Sequence, residues 1–379
     1  MTVNPKEERS TMLRYLAAVT VVSAAVVASG CGGSDNDKTT SGGGGNTSAN
    51  KGGKIALLLP ETKTARYETQ DRPLFEAKAK QLCPKCEILY SNADQDAAKQ
   101  QQQAEAALTQ GAKVLVLDAV DAASAGAIVT RAKQQKVPVI SYDRLITDAP
   151  IDYYISFDNV RVGQLQGQAL ATKLKDDGKA TGPIVMINGA PTDNNAKLFK
   201  QGATGALKGA GIKVLKSYDT PDWSPDKAQD EMQQAITAVG QNGFNGVYAA
   251  NDGTAGGAIA AMKSAGITPT ERPTTGQDAE LAGIQRVLAG TQYMTVYKAV
   301  KPEAQQAAQM AVDLANGRKP TIANKKTDNG QLQVPSVILT PVAVTKDNVK
   351  DTIVKDGFWK TKQICTSAYA SACKAAGLT

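Results

Sequence analysis

Polar and charged residues of this 379-residue chain sit just behind short apolar runs, where they could meet a ligand. Asp118 follows the run 114–117, and Asp143 and Arg144 follow 139–142. Asp193 and Asn195 come after 184–188, Asn251 and Asp252 after 247–250, Gln277 and Asp278 after 274–276, and Lys298 after 294–297. Carboxylates accept hydrogen bonds from hydroxyls, Asn amides both donate and accept, and Arg or Lys donates to ring oxygens or paired hydroxyls. That mixture suits a neutral polyhydroxylated ligand such as a sugar. Aromatics make up only 5% of the chain, so Trp223 and Tyr67, each beside a polar loop, stand out as faces for the apolar side of such a ring. Each residue also has a plainer use. Asp193 and Asp252 could cap the helices that follow them. Asp143 and Arg144 could be a surface ion pair, Trp223 could simply pack, and Asp118 could start a helix or sit at a hinge.

Composition narrows the alternatives. The chain has no histidine, which removes Ser-His-Asp and Cys-His triads and histidine acid/base catalysis. Carboxylate-only chemistry, such as glycoside hydrolysis, stays open. Neither a phosphate-binding Walker loop nor a dinucleotide-type glycine fingerprint occurs, and Pro60-Glu61-Thr62 stands after the first apolar run. The net charge of +7 is scattered, without a basic block or interleaved aromatics, so no nucleic-acid partner is expected. No cofactor or metal is expected either.

The elements that must position these residues alternate from Lys54 onward. Strands are predicted over 55–59, 88–90, 114–117, 139–142, 184–188, 214–217, 247–250, 294–297 and 334–339. Helices are predicted over 73–81, 96–110, 124–135, 162–174, 196–210, 226–239, 256–265, 281–289 and 302–316. Apolar strands joined by helical crossovers imply parallel sheets covered by helices. Ligands of open parallel sheets bind beyond the carboxyl ends of the strands, where the polar residues fall. The alternating region exceeds one comfortable core, so two α/β domains are expected.

The front of the chain reads differently. Arg9 and Arg14 precede an apolar run too short to cross a bilayer, and Ala28-Ser29-Gly30 leads directly to Cys31. This resembles a bacterial lipoprotein signal, cut before Cys31, which would then carry the lipid. Residues 1–30 are therefore expected to be a signal peptide, and the Gly-, Ser-, Thr- and Asn-rich stretch 31–53 a flexible linker. An ordinary secreted protein cut nearby is the alternative. Four further cysteines form an even set, which outside the cytosol suggests disulfides. Proximity favours Cys83 with Cys86 and Cys365 with Cys373, although Cys83-Pro84-Lys85-Cys86 could also be a redox pair or half a zinc site.

Longer runs carry a resemblance. Residues 142–144, 151–159, 193–199, Asn251-Asp252 with 255–259, 276–279 and 290–298 resemble the periplasmic D-xylose-binding proteins of ABC transporters, in the same order, over roughly residues 54–339. The resemblance implies an α/β type I periplasmic-binding fold. Two doubly wound parallel-sheet lobes would be joined by a three-strand hinge and close on one monosaccharide. It implies D-xylose first, with glucose, arabinose or ribose as alternatives. The lobes would be 54–158 with 298–335 and 159–297 with 336–357, followed by a disulfide-bearing tail over 358–379. Ligand contacts would fall on Arg66, Asp143, Arg144, Asp193, Asn195, Trp223, Asn251, Asp278 and Lys298, with Tyr67 at a place where the family commonly has Trp. It also implies an extracytoplasmic, lipid-tethered monomer that serves a membrane permease and catalyses nothing. A carboxylate-based sugar-processing enzyme is the competing reading. It would need Asp143 paired with Asp193 or Asp278 as acid and base, whereas neighbouring Arg and Lys would keep those groups ionised.

Overall fold

The structure is a computed structural model that describes residues 52–378. The expected signal peptide, Cys31 and the linker up to residue 51 lie outside the described residues.

The first sheet is built from β1 (Gly53–Leu59), β2 (Cys86–Asn92), β3 (Ala112–Leu117), β4 (Val139–Tyr142) and β5 (Tyr153–Phe157). Helices α1 (Arg72–Leu82), α2 (Ala97–Thr109) and α3 (Gly126–Gln134) link the first four strands. Gly53, expected at the end of the linker, instead opens β1 by pairing with Cys86. Both faces of β1 are buried: Ile55, Leu57 and Leu59 pack into one core cluster, and Ala56 and Leu58 into the other. Continuous apolar runs such as Ile55–Leu59 are what a central parallel strand covered on both sides requires.

The second lobe begins with α4 (Asn159–Asp176) and continues through β6 (Ile184–Asn188), α5 (Asn194–Gly209), β7 (Val214–Asp219), α6 (Pro225–Val239), β8 (Gly246–Ala249) and α7 (Asp252–Ser264). Its parallel sheet runs β7-β6-β8, and a bridge between Val247 and Thr274 extends it. Then come α8 (Leu281–Ala289), β9 (Thr295–Tyr297), α9 (Val300–Ala315), β10 (Lys325–Asp328), β11 (Gln333–Leu339) and β12 (Val342–Val344). The first sheet has the order β10-β11-β5-β4-β3-β1-β2, parallel except for β10. β12 pairs antiparallel with β9.

One expected boundary shifts. Residues 336–339 were expected in the second lobe, but Ser336–Leu339 pair with Tyr154–Phe157 in the first sheet. The chain therefore crosses after Leu339, because burying Val337 there completes the sheet next to β5. The tail folds into α10 (Thr361–Ile364) and α11 (Ala370–Ala375). Its Phe358, Trp359, Ile364 and Cys373 join the same core cluster as α1 and α9. Disulfides link Cys83 to Cys86 and Cys365 to Cys373. Among the described residues, no helix is long and apolar enough to cross a membrane.

Candidate functional site

The carboxyl ends of the two parallel sheets face one another across a cavity lined by residues of both lobes. Every residue expected at a ligand site lines it except Arg66, which stands behind it.

From the first lobe, the loop after β1 supplies Thr64, Arg66 and Tyr67. Glu61 folds this loop by accepting from the backbone N–H of Lys63 and of Thr64. Arg66 is 2% exposed and held as a fork: Nε and Nη2 donate to the two oxygens of Asp71 at 2.9 and 2.6 Å, and Nη2 also donates to Glu303 at 2.6 Å. Tyr142 donates its hydroxyl to Asp71 as well. Fixed this way, Arg66 directs Nη1 at Asp143 (3.6 Å) and Asp278 (3.8 Å). The end of β4 supplies Asp143, with φ +51°, and Arg144. Tyr67 donates to Asp143 at 3.3 Å.

From the second lobe, Asp193 caps α5, as its plainer use suggested, by accepting from Asn195 N. Its other oxygen accepts from Trp223 Nε1 at 3.1 Å and lies 3.0 Å from Arg144 Nε. Capping and site duty are therefore the same carboxylate. Asn251 caps α7 in a capping box with Thr254. Asp252, expected as that cap, instead accepts from Glu280 N, Gln292 Nε2 and Thr295 Oγ1. It is fully buried, so it ties α7 to α8 and β9 rather than capping. Asp278 arrives on a backbone with φ +90° and is 3.2 Å from Lys298 Nζ. Lys298 follows β9 and also lies over the Phe157 and Phe199 rings at 5.6 and 5.7 Å.

Asp143, Trp223, Asp278 and Ala279 all have positive φ without being glycine. Each such residue costs about 1–3 kcal/mol, and such strain gathers where a side chain must be aimed. Trp223 reaches the cavity only because residue 189 is glycine: a Cβ there would lie 2.0 Å from Trp223 Cη2. Phe199 and Trp223 meet edge to face at 6.4 Å, so the second lobe presents an aromatic corner as well as polar groups.

Charges are dense and paired. Burial pushes the Asp143 carboxyl up, but Lys298, Arg66 and Arg144 outweigh it and hold it at about 2. Burial would lower Lys298, yet Asp143 and Asp278 keep it above the ordinary lysine value. Asp118, placed behind Arg144 at 3.6 Å rather than in the cavity wall, is driven well up by burial, which Arg144 offsets in part. Burial also raises Glu303, against the lowering pull of Arg66. Several buried atoms facing this region make no hydrogen bond: Arg66 Nη1, Asp143 Oδ1, Arg144 Nε, Gln277 Oε1 and Asp278 Oδ1. Ion pairs take the place of hydrogen bonds at four of these atoms, as between Arg144 Nε and Asp193, while Gln277 Oε1 has neither, and buried polar atoms normally have partners, so it points to a polar occupant between the lobes.

The lobes also touch directly. Asn195 Nδ2 donates to Asp143 O at 3.0 Å, and Ala122 N donates to Thr192 O at 3.0 Å. Thr64, Phe199 and Gln277 line the cavity without having been expected there. Gln277 was visible as a strand-end amide. Phe199 and Thr64 carried no signal distinguishing them from packing and loop residues.

Residues 55–319 match the Periplasmic binding protein domain family. The chain belongs to the periplasmic binding protein family. Within it, the chain is 40% identical over 315 residues to the D-xylose-binding periplasmic protein of Escherichia coli, covering 82% of this chain and 92% of that one. It is 36% identical over 319 residues to the D-xylose-binding periplasmic protein of Haemophilus influenzae, covering 83% and 93%. A carbohydrate transporter solute binding protein of Chloroflexus aurantiacus, solved in complex with D-glucose, superposes with a TM-score of 0.73 at 30% identity, covering 82% and 97%. The two-lobed sheet architecture above is thus that of the periplasmic binding protein family.

Proposed function

We propose that this chain is an extracytoplasmic receptor that captures one neutral monosaccharide, D-xylose first, by closing its lobes, and delivers it to an ABC transporter permease. The observation that carries this reading is the cavity between the lobes, whose polar wall comes from both of them and includes the unpartnered buried Gln277 Oε1. A ligand that bridges the lobes stabilises the closed arrangement over an open one. The relatives named for D-xylose support the choice of sugar, and the glucose-bound neighbour keeps D-glucose as the second candidate.

Charge argues for a neutral ligand. Arg66, Arg144 and Lys298 are outnumbered by the buried carboxyls of Glu61, Asp71, Asp118, Asp143, Asp193, Asp278 and Glu303. Each of these cations already faces carboxyls of the protein, Arg66 those of Asp71 and Glu303, Arg144 that of Asp193, and Lys298 those of Asp143 and Asp278, so no positive charge is free for a phosphate or a sugar acid. The same pattern argues against catalysis. In the cavity wall, Lys298, Arg66 and Arg144 hold Asp143 low, and Asp193, although burial raises it, lies 3.0 Å from Arg144 Nε and accepts from Asn195 N and Trp223 Nε1, which suits an acceptor better than a general acid. A glycosidase needs a protonated acid beside the sugar.

The lipid tether at Cys31 and a monomeric working state belong to this reading as well. The ligand-contact set comprises Tyr67, Asp143, Arg144, Asp193, Asn195, Trp223, Asn251, Asp278 and Lys298, with Arg66 acting from behind the wall on Asp143 and Asp278, and with Thr64, Phe199 and Gln277 added from the lining. A thermal-shift screen of the full chain against xylose, glucose, arabinose, ribose, galactose and fructose tests it, because a ligand that binds only the folded form raises the melting temperature. A large shift with xylose and no consumption of it is the expected result. Turnover of the sugar would favour the enzyme instead.

A further inference from the structure

Asp278 and Ala279 share an unusual backbone, with φ of +90° and +50°. L-residues hold such a conformation only where neighbours fix it. Two of the fixing contacts come from β9: Asp278 N donates to Val296 O at 2.9 Å, and Ala279 N donates to Thr295 Oγ1 at 3.3 Å. The third comes from the far end of the chain. Trp359 Nε1 donates to Ala279 O at 2.8 Å. Trp359 lies outside the family-matched residues 55–319 and is 8% exposed.

The tail around Trp359 also touches the segments that carry Lys298 and Arg66. Phe358 packs edge to face on Tyr297, the residue before Lys298, at 5.1 Å and on Trp359 at 5.5 Å. Phe358 O accepts from Gln70 Nε2 at 3.4 Å, in the turn that starts with Arg66 and Tyr67. Farther along, Gln285 Nε2 donates from α8 to Ile364 O at 3.1 Å. The Cys365–Cys373 disulfide closes the segment beyond, and Ile364 and Cys373 are fully buried. A loose tail could not hold an indole N–H on one carbonyl; a segment anchored at both sides of Trp359 can.

We propose that Trp359 is a positioning residue for ligand binding. Its indole N–H fixes the Asp278–Ala279 turn and so aims the Asp278 carboxylate, and the disulfide-closed tail serves the site by holding that indole in place. This inference rests on the reading of Asp278 as a sugar contact. It predicts an effect on affinity that exceeds the effect on the stability of the sugar-free protein, which a purely structural tail would not produce.

The test uses the full chain and the Trp359→Phe variant, which keeps an aromatic ring and removes the donor. Titration calorimetry with D-xylose, or with whichever screened neutral monosaccharide the unmodified protein binds, should show affinity weakened by about three- to tenfold, the range for one lost neutral hydrogen bond. The sugar-free melting temperature should change little. Hydrogen exchange should speed up at the peptide covering Asp278 and Ala279 and stay unchanged in β1. Unaltered affinity, or unaltered exchange at that peptide, overturns the proposal. Should Trp359→Phe fail to fold, the double variant Cys365→Ser, Cys373→Ser takes its place. It leaves the indole but unties the tail, and it should give the same two changes in smaller measure; neither change appearing overturns the proposal. Unmodified protein that binds none of the screened sugars contradicts the binding reading itself. The exchange comparison then still decides whether Trp359 holds the turn.

Discussion

Asp278 and Lys298 are 3.2 Å apart and almost wholly buried, so neither can be removed without leaving the other short of a partner. Asp278→Asn keeps the shape and removes the charge. It should weaken sugar binding by about tenfold or more, since hydrogen bonds to charged groups are worth roughly 1.5–3 kcal/mol, and calorimetry beside a melting curve separates this from unfolding. Gly189→Ala should also weaken binding by about tenfold or more. Its Cβ would displace the Trp223 ring, and a contact misplaced by an ångström loses most of its value. Wild-type affinity in Gly189→Ala would mean that the Trp223 ring does not face the ligand. Most such side chains could be read from the sequence because strands deliver their following residues to a single edge: Asp143, Asp193 and Asn251 follow the parallel β4, β6 and β8, while Asp278 follows the Thr274 bridge segment and Lys298 follows β9. The residues that hold Arg66 could not. Asp71 and Glu303 meet on one guanidinium from segments more than two hundred residues apart, and in sequence each looks like a solvated helical acid.

Helix α7 depends on a buried carboxyl for its attachment to α8 and β9. Burial raises Asp252 to about 7, against the lowering pull of Arg286 and of the Gln292 and Thr295 hydrogen bonds, while Asp278 adds to the rise. Between the ordinary Asp value of about 4 and the raised one, the folded chain keeps a proton that the unfolded chain has lost. Stability should therefore be highest on the acid side of this window and fall as pH rises toward 7. Melting temperatures of Asp252→Asn measured from pH 5 to pH 8 should show a flatter slope than those of the unmodified protein; an unchanged slope would assign the pH dependence to other groups. Asp143 has the opposite sign. Held at about 2, it stabilises the fold above the ordinary Asp value, and that contribution disappears only as pH falls toward 2. Long, strongly apolar runs such as Ile55–Leu59 and Ile184–Ile187 were easy to recognise as strands. β10 and β12 were not, because Lys325–Asp328 is nearly all polar and Val342–Val344 is three residues long. The tail was equally opaque: what orders residues 358–378 is contact with α8 and the Asp278 turn, which no local pattern encodes.

At the scale of the molecule, the carboxyl edges of two parallel sheets meet over one cavity rich in carboxyls. Direct contacts between the lobes include Asn195 on Asp143, Ala122 on Thr192 and the Arg144–Asp193 ion pair, and a ligand bridging the same groups adds to the closed side of the balance between closed and open forms. Sugar should therefore compact the protein in solution, and small-angle scattering with and without xylose should show a smaller radius of gyration with the sugar bound. The excess of buried carboxyls makes the sharper distinction, because it separates a receptor for neutral sugars from one for charged derivatives. The most direct measurement is a pair of calorimetric titrations of the full chain, one with D-xylose and one with its acid, D-xylonate. Saturable one-to-one binding of the neutral sugar should be at least about a hundredfold tighter than any binding of the acid, as expected where like charges meet in a desolvated site. Equal or tighter binding of xylonate would contradict a receptor for neutral sugars.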